Sequence, residues 1–145
     1  MAFTTMGYVM MRAQQRLNQP CWRYWFDYVP LAERKLFPHG AWHGNEVPYV
    51  FDNLTLAEPL CQHVDEQDLA FAGQVADYWV QFARAASAQT SVLEGPVRWP
   101  ASTRRRDRLL RIGIHREAGF RVENRFMRAR MALFCRVMSR LVTLD

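Results

Sequence analysis

The sequence lacks any apolar run near the length of about 20 residues that a membrane-spanning helix requires. Its beginning, MAFTTMGYVMMRAQQRL, has neither the basic lead nor the unbroken apolar stretch of a secretory signal peptide. Cysteine is scarce: Cys21, Cys61 and Cys135 form an odd set without C-x-x-C spacing. This pattern argues against a disulfide framework or a zinc site and predicts small buried thiols in a reducing compartment, the cytoplasm.

Lysine is almost absent, since Lys35 is the only lysine in the chain. Residues 1–100 carry seven Lys and Arg against ten Asp and Glu, whereas residues 101–145 carry twelve Arg against four acids. The first part therefore has a net charge of −3 and the last part +8. Such a split is found in proteins that bind nucleic acid or membrane surfaces, but a solvated face or an acidic partner explains it more often.

What the sequence does contain is enough apolar material for one folded domain. Of the 145 residues, 50% are apolar and 13% aromatic, and no internal repeat or low-complexity segment occurs. The periodicity predicts helices over 3–17, 67–86 and 124–141, strands over 21–29, 108–114 and 120–123, an irregular segment over 31–50 and a loop over 87–96.

This order of elements predicts an α/β fold with an incomplete sheet, over a single segment 1–145. The strand CWRYWFDYV, 21–29, is apolar on both faces, as in strands buried inside a sheet. Such a strand needs neighbours, and the first hundred residues offer no evident partner. We therefore expect self-association through an exposed strand edge.

Several motifs occur in an order that resembles a known family. They are YWFDYVP (24–30), GAWHGNEVPYVF (40–51), ADYWVQFAR (76–84), RWPA (98–101) and RLLRIG (108–113). Together they resemble the C-terminal region of type B carboxylesterases, the group of the para-nitrobenzyl esterases and cholinesterases. The block around His43 is the most specific part of the resemblance.

The resemblance implies part of an α/β-hydrolase fold and a Ser–acid–His catalytic triad. In that fold the triad residues follow one another in the order Ser, Asp or Glu, His. His43 would then be the general base, with Trp42 and Gly44 shaping its loop and Glu46 as a structural partner. The implied substrate is a small-molecule carboxylic ester, hydrolysed without a metal or an organic cofactor.

The chain departs from the family pattern at the catalytic groups. It has no G-x-S-x-G nucleophile motif and no Gly-Gly oxyanion loop, and the family's triad acid would precede Met1. We therefore expect a truncated fragment that is inactive alone and becomes active only when the missing part completes the triad.

The same residues also fit less specific roles. Composition alone favours His43 as a packed loop histidine, and the His39–His43 spacing is compatible with zinc, although Pro38 and Gly40 break the helix that such a site requires. The alternative function is a non-enzymatic basic module whose Arg-rich third binds an acidic protein, nucleic acid or a membrane surface. Nucleic acid is the less expected partner because Phe120, Phe126 and Phe134 are predicted in the core.

Individual residues outside the motifs also carry expectations. Asp27 is predicted to be a polar group at the end of a strand with a backbone or Arg partner. His63 and His115 are predicted at the surface, and the methionines of 127–141 are predicted as core filler.

Overall fold

A computed structural model of the chain describes residues 2–56, 58, 64–88 and 90–141. Within them the regular elements are α1 (Ala2–Arg16), β1 (Tyr24–Phe26), α2 (Val47–Val50), α3 (Glu66–Ala88), β2 (Val92–Leu93), β3 (Trp99–Pro100), β4 (Arg108–Ile114), β5 (Glu117–Asn124) and α4 (Arg128–Leu141). Short 3-10 turns occupy Leu31–Glu33 and Leu54–Leu56. None of the helices described is both long and apolar enough to cross a membrane.

The central sheet of the described residues has the strand order β1-β4-β5. β1 runs parallel to β4, with Tyr24 opposite Leu110 and Phe26 opposite Ile112. β4 and β5 form an antiparallel hairpin in which Arg108 lies opposite Asn124. A parallel pair requires a long crossover, and here the connection from β1 to β4 contains α3.

The core lies between this sheet and α3. Phe71, Val75 and Tyr78 recur along one face of α3 and are buried, because spacings of three and four residues share a helix face. They pack in one cluster with Leu110 and Ile112 of β4. α1 packs against α4. Arg23, which precedes β1, contacts α1, since its guanidinium lies 5.3 Å from the ring centroid of Tyr8.

Most of the predicted elements are present, with different limits. The strand expected over 21–29 covers only Tyr24–Phe26, because Cys21 forms an isolated bridge to Ser102 and the chain leaves the sheet after Asp27. The helix expected over 124–141 begins at Arg128, since Arg125 and Met127 have positive φ angles that a helix does not allow. The loop expected over 87–96 contains β2, whose Leu93 pairs with Trp99 of β3.

The burial of individual side chains differs in part from expectation. Met131 is fully buried, as the core-filler prediction required, and Phe120 packs against the main cluster. Phe126 is only half-buried, beside Trp25. Cys21 and Cys135 are free and half-buried, and burial raises the pKa of the Cys21 thiol. Cys61 and His63 lie outside the described residues.

Candidate active-site loop

The histidine loop, residues 38–46, follows the carboxyl end of β1 and leads into α2. Turns close it: the amide of Gly40 donates to the Phe37 carbonyl at 3.2 Å, and the amide of Asn45 donates to the Trp42 carbonyl at 3.2 Å. Gly40 and Gly44 have φ angles of +101° and +86°, which residues with a Cβ rarely adopt. The two glycines therefore allow the sharp reversals on either side of His43.

His43 lies in the turn and is exposed. Its neighbour Trp42 is 50% exposed and stacks on Phe37, with ring centroids 6.1 Å apart and planes inclined by 21°. This stacking restrains Trp42, the residue just before His43, against the ring of Phe37. The imidazole is thus presented to solvent from a loop whose path is constrained.

Glu46 closes the loop at the start of α2. Its carboxylate accepts a hydrogen bond at 3.5 Å from the Tyr24 hydroxyl of β1. Burial, and then the negative charge of Glu46, raises the pKa of Tyr24 to about 12. Glu46 therefore lies against the strand that precedes the loop.

Asn45 is a loop residue that sequence reasoning missed. It is 1% exposed, and its side-chain amide donates to the Tyr28 carbonyl at 3.4 Å. This contact ties the turn that carries His43 to the chain just after β1. A polar residue two positions after the histidine was the available signal, but nothing in the sequence showed that Asn45 would face inward.

The hairpin between β4 and β5 reaches the same end of the sheet. The Arg116 guanidinium donates to the Pro38 carbonyl at 3.3 Å. A shallow cavity of about 250 Å³ lies there, lined by Asp27, Pro38, His39, Gly40, His115 and Arg116. His115 is exposed, as predicted.

Asp27, which lines this cavity, forms an ion pair with Arg111 of β4. The Arg111 guanidinium donates to the Asp27 carboxylate at 2.7 Å and to Glu123 at 3.4 Å. The hydrogen bond to Asp27 is the main cause that raises the pKa of Arg111. Of the two kinds of partner predicted for Asp27, a backbone group or an Arg side chain, the structure shows the Arg side chain.

Two backbone positions bring β4 and the loop close to β1. A Cβ at Gly113 would overlap the Tyr28 amide nitrogen, and Gly113 sits at a register irregularity of β4. A Cβ at Gly40 would lie 3.1 Å from the Asp27 carboxylate. The glycine in RLLRIG was the sequence signal for such a close approach.

A buried hydrogen bond connects the chain after β1 to α3. The Tyr28 hydroxyl donates to the carboxylate of Asp68, which is 2% exposed at the start of α3. Burial, and then this hydrogen bond, raises the pKa of Tyr28. The end of β1 is thereby fixed to α3 as well as to the histidine loop.

Neither a metal cluster nor a nucleophile motif accompanies His43 in what the structure describes. No group of three or more His, Cys, Asp or Glu side chains among the described residues could hold a metal ion. Ser102 is buried near the amino end of β4, where its hydroxyl receives hydrogen bonds from Gln15 and from the Arg108 amide. It has a structural role there.

Two solved structures are similar to this chain. An esterase from Clostridium hathewayi, described as hydrolysing aliphatic aromatic polyesters, matches with a TM-score of 0.63 and 18% identity over 87% of this chain and 23% of its own. PNB esterase matches with a TM-score of 0.56 and 22% identity over 79% of this chain and 21% of its own. A search of curated proteins finds no match.

This chain thus shares part of the fold of these two structures, and it spans less than a quarter of either of them. Its small sheet corresponds to part of an esterase fold, as the α/β-hydrolase resemblance predicted. The sequence profile described as "Carboxylesterase family" matches residues 1–134. This chain belongs to the carboxylesterase family.

Proposed function

We propose that this chain is the C-terminal portion of a serine carboxylesterase and supplies His43 as the general base of its triad. The observation that carries the proposal is the position of His43 in an exposed turn that follows the carboxyl end of β1. In sheets with parallel strands, binding and catalytic groups gather at the carboxyl ends of the strands.

The geometry of the loop supports this role. A general base must be held within hydrogen-bond reach of the proton that it takes. Asn45 ties the turn to the end of β1, and Trp42 stacks on Phe37. These contacts limit the movement of the backbone on both sides of the imidazole while the ring itself stays accessible.

The other catalytic groups would come from a part of the enzyme that this chain does not contain. Its 145 residues hold no G-x-S-x-G sequence, and it matches less than a quarter of each similar esterase. An imidazole without a serine nucleophile, a triad acid and oxyanion donors lacks several kcal/mol of transition-state stabilisation from each missing group. The chain alone should therefore not hydrolyse esters.

The proposed substrate of the completed enzyme is a small carboxylic ester. His43 would take the proton of the serine hydroxyl as it attacks the ester carbonyl, and would then return it to the leaving alkoxide. The free Cys21 and Cys135 thiols support a reducing compartment, and we place the protein in the cytoplasm.

The test compares the chain alone with the chain mixed with the complementary N-terminal part of a PNB esterase. We expect no hydrolysis of a short nitrophenyl ester by the chain alone, and hydrolysis by the mixture. The His43→Ala variant should abolish the activity of the mixture. His39→Ala is the matched control, because His39 is an exposed histidine of the same loop, and it should keep that activity.

Two results would contradict the proposal. One is turnover by the chain alone that His43→Ala removes, since that requires a complete site within these residues. The other is a mixture that hydrolyses the ester equally well with His43→Ala. Labelling of the chain alone by a fluorophosphonate serine probe would also indicate a complete site within these residues.

A further inference from the structure

A cleft lies at the amino end of β4, away from the histidine loop. It has a volume of about 420 Å³ and is lined by Arg105, Arg106, Asp107, Arg108, Asn124 and Arg125. Arg108 begins β4 and Ile114 ends it, so the cleft is about 20 Å from the edge that carries His43 at the usual rise of a strand.

The arginines of the cleft form no ion pair with a carboxylate of the described residues. In residues 2–56, 58, 64–88 and 90–141, no carboxylate pairs with the side chains of Arg105, Arg106, Arg108 or Arg125. A concave surface lined by charges of one sign concentrates the electric field and attracts counter-ions.

Asp107 is the carboxylate among the described residues that line the cleft, and it already forms an ion pair with Arg23. Asp107 accepts a hydrogen bond from the Arg23 guanidinium at 2.8 Å, and both side chains are at most 10% exposed. Its other oxygen is buried as well. Asp107 therefore balances the charge of Arg23 in the interior rather than the charges of the cleft arginines.

The walls of the cleft are held by backbone hydrogen bonds. The Thr103 amide donates to the Arg106 carbonyl at 2.8 Å, and the Arg106 amide donates to the Thr103 hydroxyl at 3.0 Å. The Arg125 amide donates to the Asp107 carbonyl at 2.9 Å. Both chain segments that carry the arginines are thus fixed relative to each other.

We propose that this cleft, at the opposite end of β4 from the histidine loop, is a binding site for a small polyphosphate anion. Guanidinium groups bind phosphate oxygens through pairs of parallel hydrogen bonds. The volume lies within the range of small-ligand sites, about 300–1,000 Å³. None of the described residues that line the cleft is aromatic, so this lining lacks the stacking surface by which proteins hold single-stranded nucleic acid.

The first test measures tripolyphosphate binding to the chain by calorimetry at constant ionic strength. We expect one site, at least about tenfold weaker binding of orthophosphate, and a loss of about tenfold or more in affinity in the R105Q/R106Q variant. R98Q/R130Q is the matched control, because it removes two exposed arginines outside the cleft; its affinity should fall no more than about twofold.

A second measurement needs no variant. Tripolyphosphate should protect the cleft arginines of the unaltered chain, and not Arg98 or Arg130, from modification by phenylglyoxal, as read by mass spectrometry. Adenosine triphosphate should protect the same arginines; tighter binding than tripolyphosphate would identify a nucleotide as the source of the phosphates.

Three outcomes would overturn the proposal: no protection of the cleft arginines, equal loss of affinity in both double variants, or tighter binding of a single-stranded oligonucleotide than of tripolyphosphate. The last would identify a nucleic-acid surface instead.

Discussion

At the scale of single residues, breaking the buried pair of Arg23 and Asp107 should strongly destabilise the chain. Burial lowers the pKa of Arg23, and the charge of Asp107 opposes that shift. Asp107→Asn would leave the guanidinium buried without a counter-charge, which costs about 3–5 kcal/mol. Urea unfolding followed by circular dichroism measures the change.

An exposed ion pair gives the matched control for that variant. Arg98 and Glu94 form an ion pair at 3.1 Å with side chains 73% and 61% exposed. Glu94→Gln should therefore cost less than about 1 kcal/mol. Equal losses in the two variants would show that burial does not distinguish these pairs.

Tyr24 predicts a loss of stability at high pH. Its pKa is raised to about 12 from 10, first by burial and then by Glu46. Between these values the folded chain retains the phenolic proton and the unfolded chain loses it, so this contribution is complete below pH 10 and is lost as the pH rises towards 12. Tyr24→Phe should make the fall in stability shallower, as measured by unfolding midpoints. An unchanged slope would contradict the assignment.

At the scale of elements, the bulge at Gly113 determines how β4 approaches the end of β1. Gly113 has a φ of +84°, and a Cβ there would lie 2.7 Å from the backbone of both Tyr28 and Asp27. Gly113→Ala should therefore destabilise the chain by about 1–3 kcal/mol or more, since strain and a clash add. Chemical unfolding is the measurement.

Gly73 is the control for that variant because it lies inside α3, where an added Cβ would have nothing within 4 Å. Gly73→Ala should stabilise the chain by up to about 1 kcal/mol through helix propensity. If both substitutions had the same effect, the close approach at Gly113 would not limit stability.

Helix α1 shows that an apolar stripe need not face the core. Met6 and Met10, whose spacing helped to predict the helix, are 61% and 66% exposed. The buried side is formed by Thr5, Met11 and Gln15. Exposing such apolar side chains to water is unfavourable. This helix face therefore supports the proposal that the chain belongs to a larger assembly.

At the scale of the whole molecule, β1 is an edge strand within the described sheet. The Arg23 carbonyl and the Asp27 amide bond to β4, so alternation directs the backbone groups of Tyr24 and Phe26 away from it. We propose that this edge pairs with a second copy, or with the missing part of the esterase when that is present.

The chain alone should therefore self-associate in size-exclusion chromatography with light scattering. Tyr24→Lys should shift it towards the monomer, because a charge on an edge strand disfavours pairing. Tyr24→Phe keeps the ring and should not. A monomeric, cooperatively melting native chain would contradict the proposal.

Local pattern was sufficient for several features. The 3.6-residue period of α3, the alternation in β4 and the return strand β5 each depend on neighbouring residues, so they were predicted with small errors at the ends. A polar partner for Asp27 was predicted from its place at the end of a strand, where an unpaired carboxylate is costly, but the choice between a backbone group and Arg stayed open. The motif GAWHGNEVPYVF was enough to identify the histidine loop, although the role of His43 stays a prediction.

Other features were decided only by tertiary contacts. The exposed stripe of α1, the inward Asn45 and the buried Arg23–Asp107 pair depend on which surfaces meet, and residue spacing carries no information about that. β1 pairs with β4, which lies more than 80 residues further along the chain, so residues 21–29 alone do not determine where the strand ends. The arginine cleft likewise arises because the start of β4 and the end of β5 lie side by side in the hairpin, which brings Arg125 next to Arg105, Arg106 and Arg108.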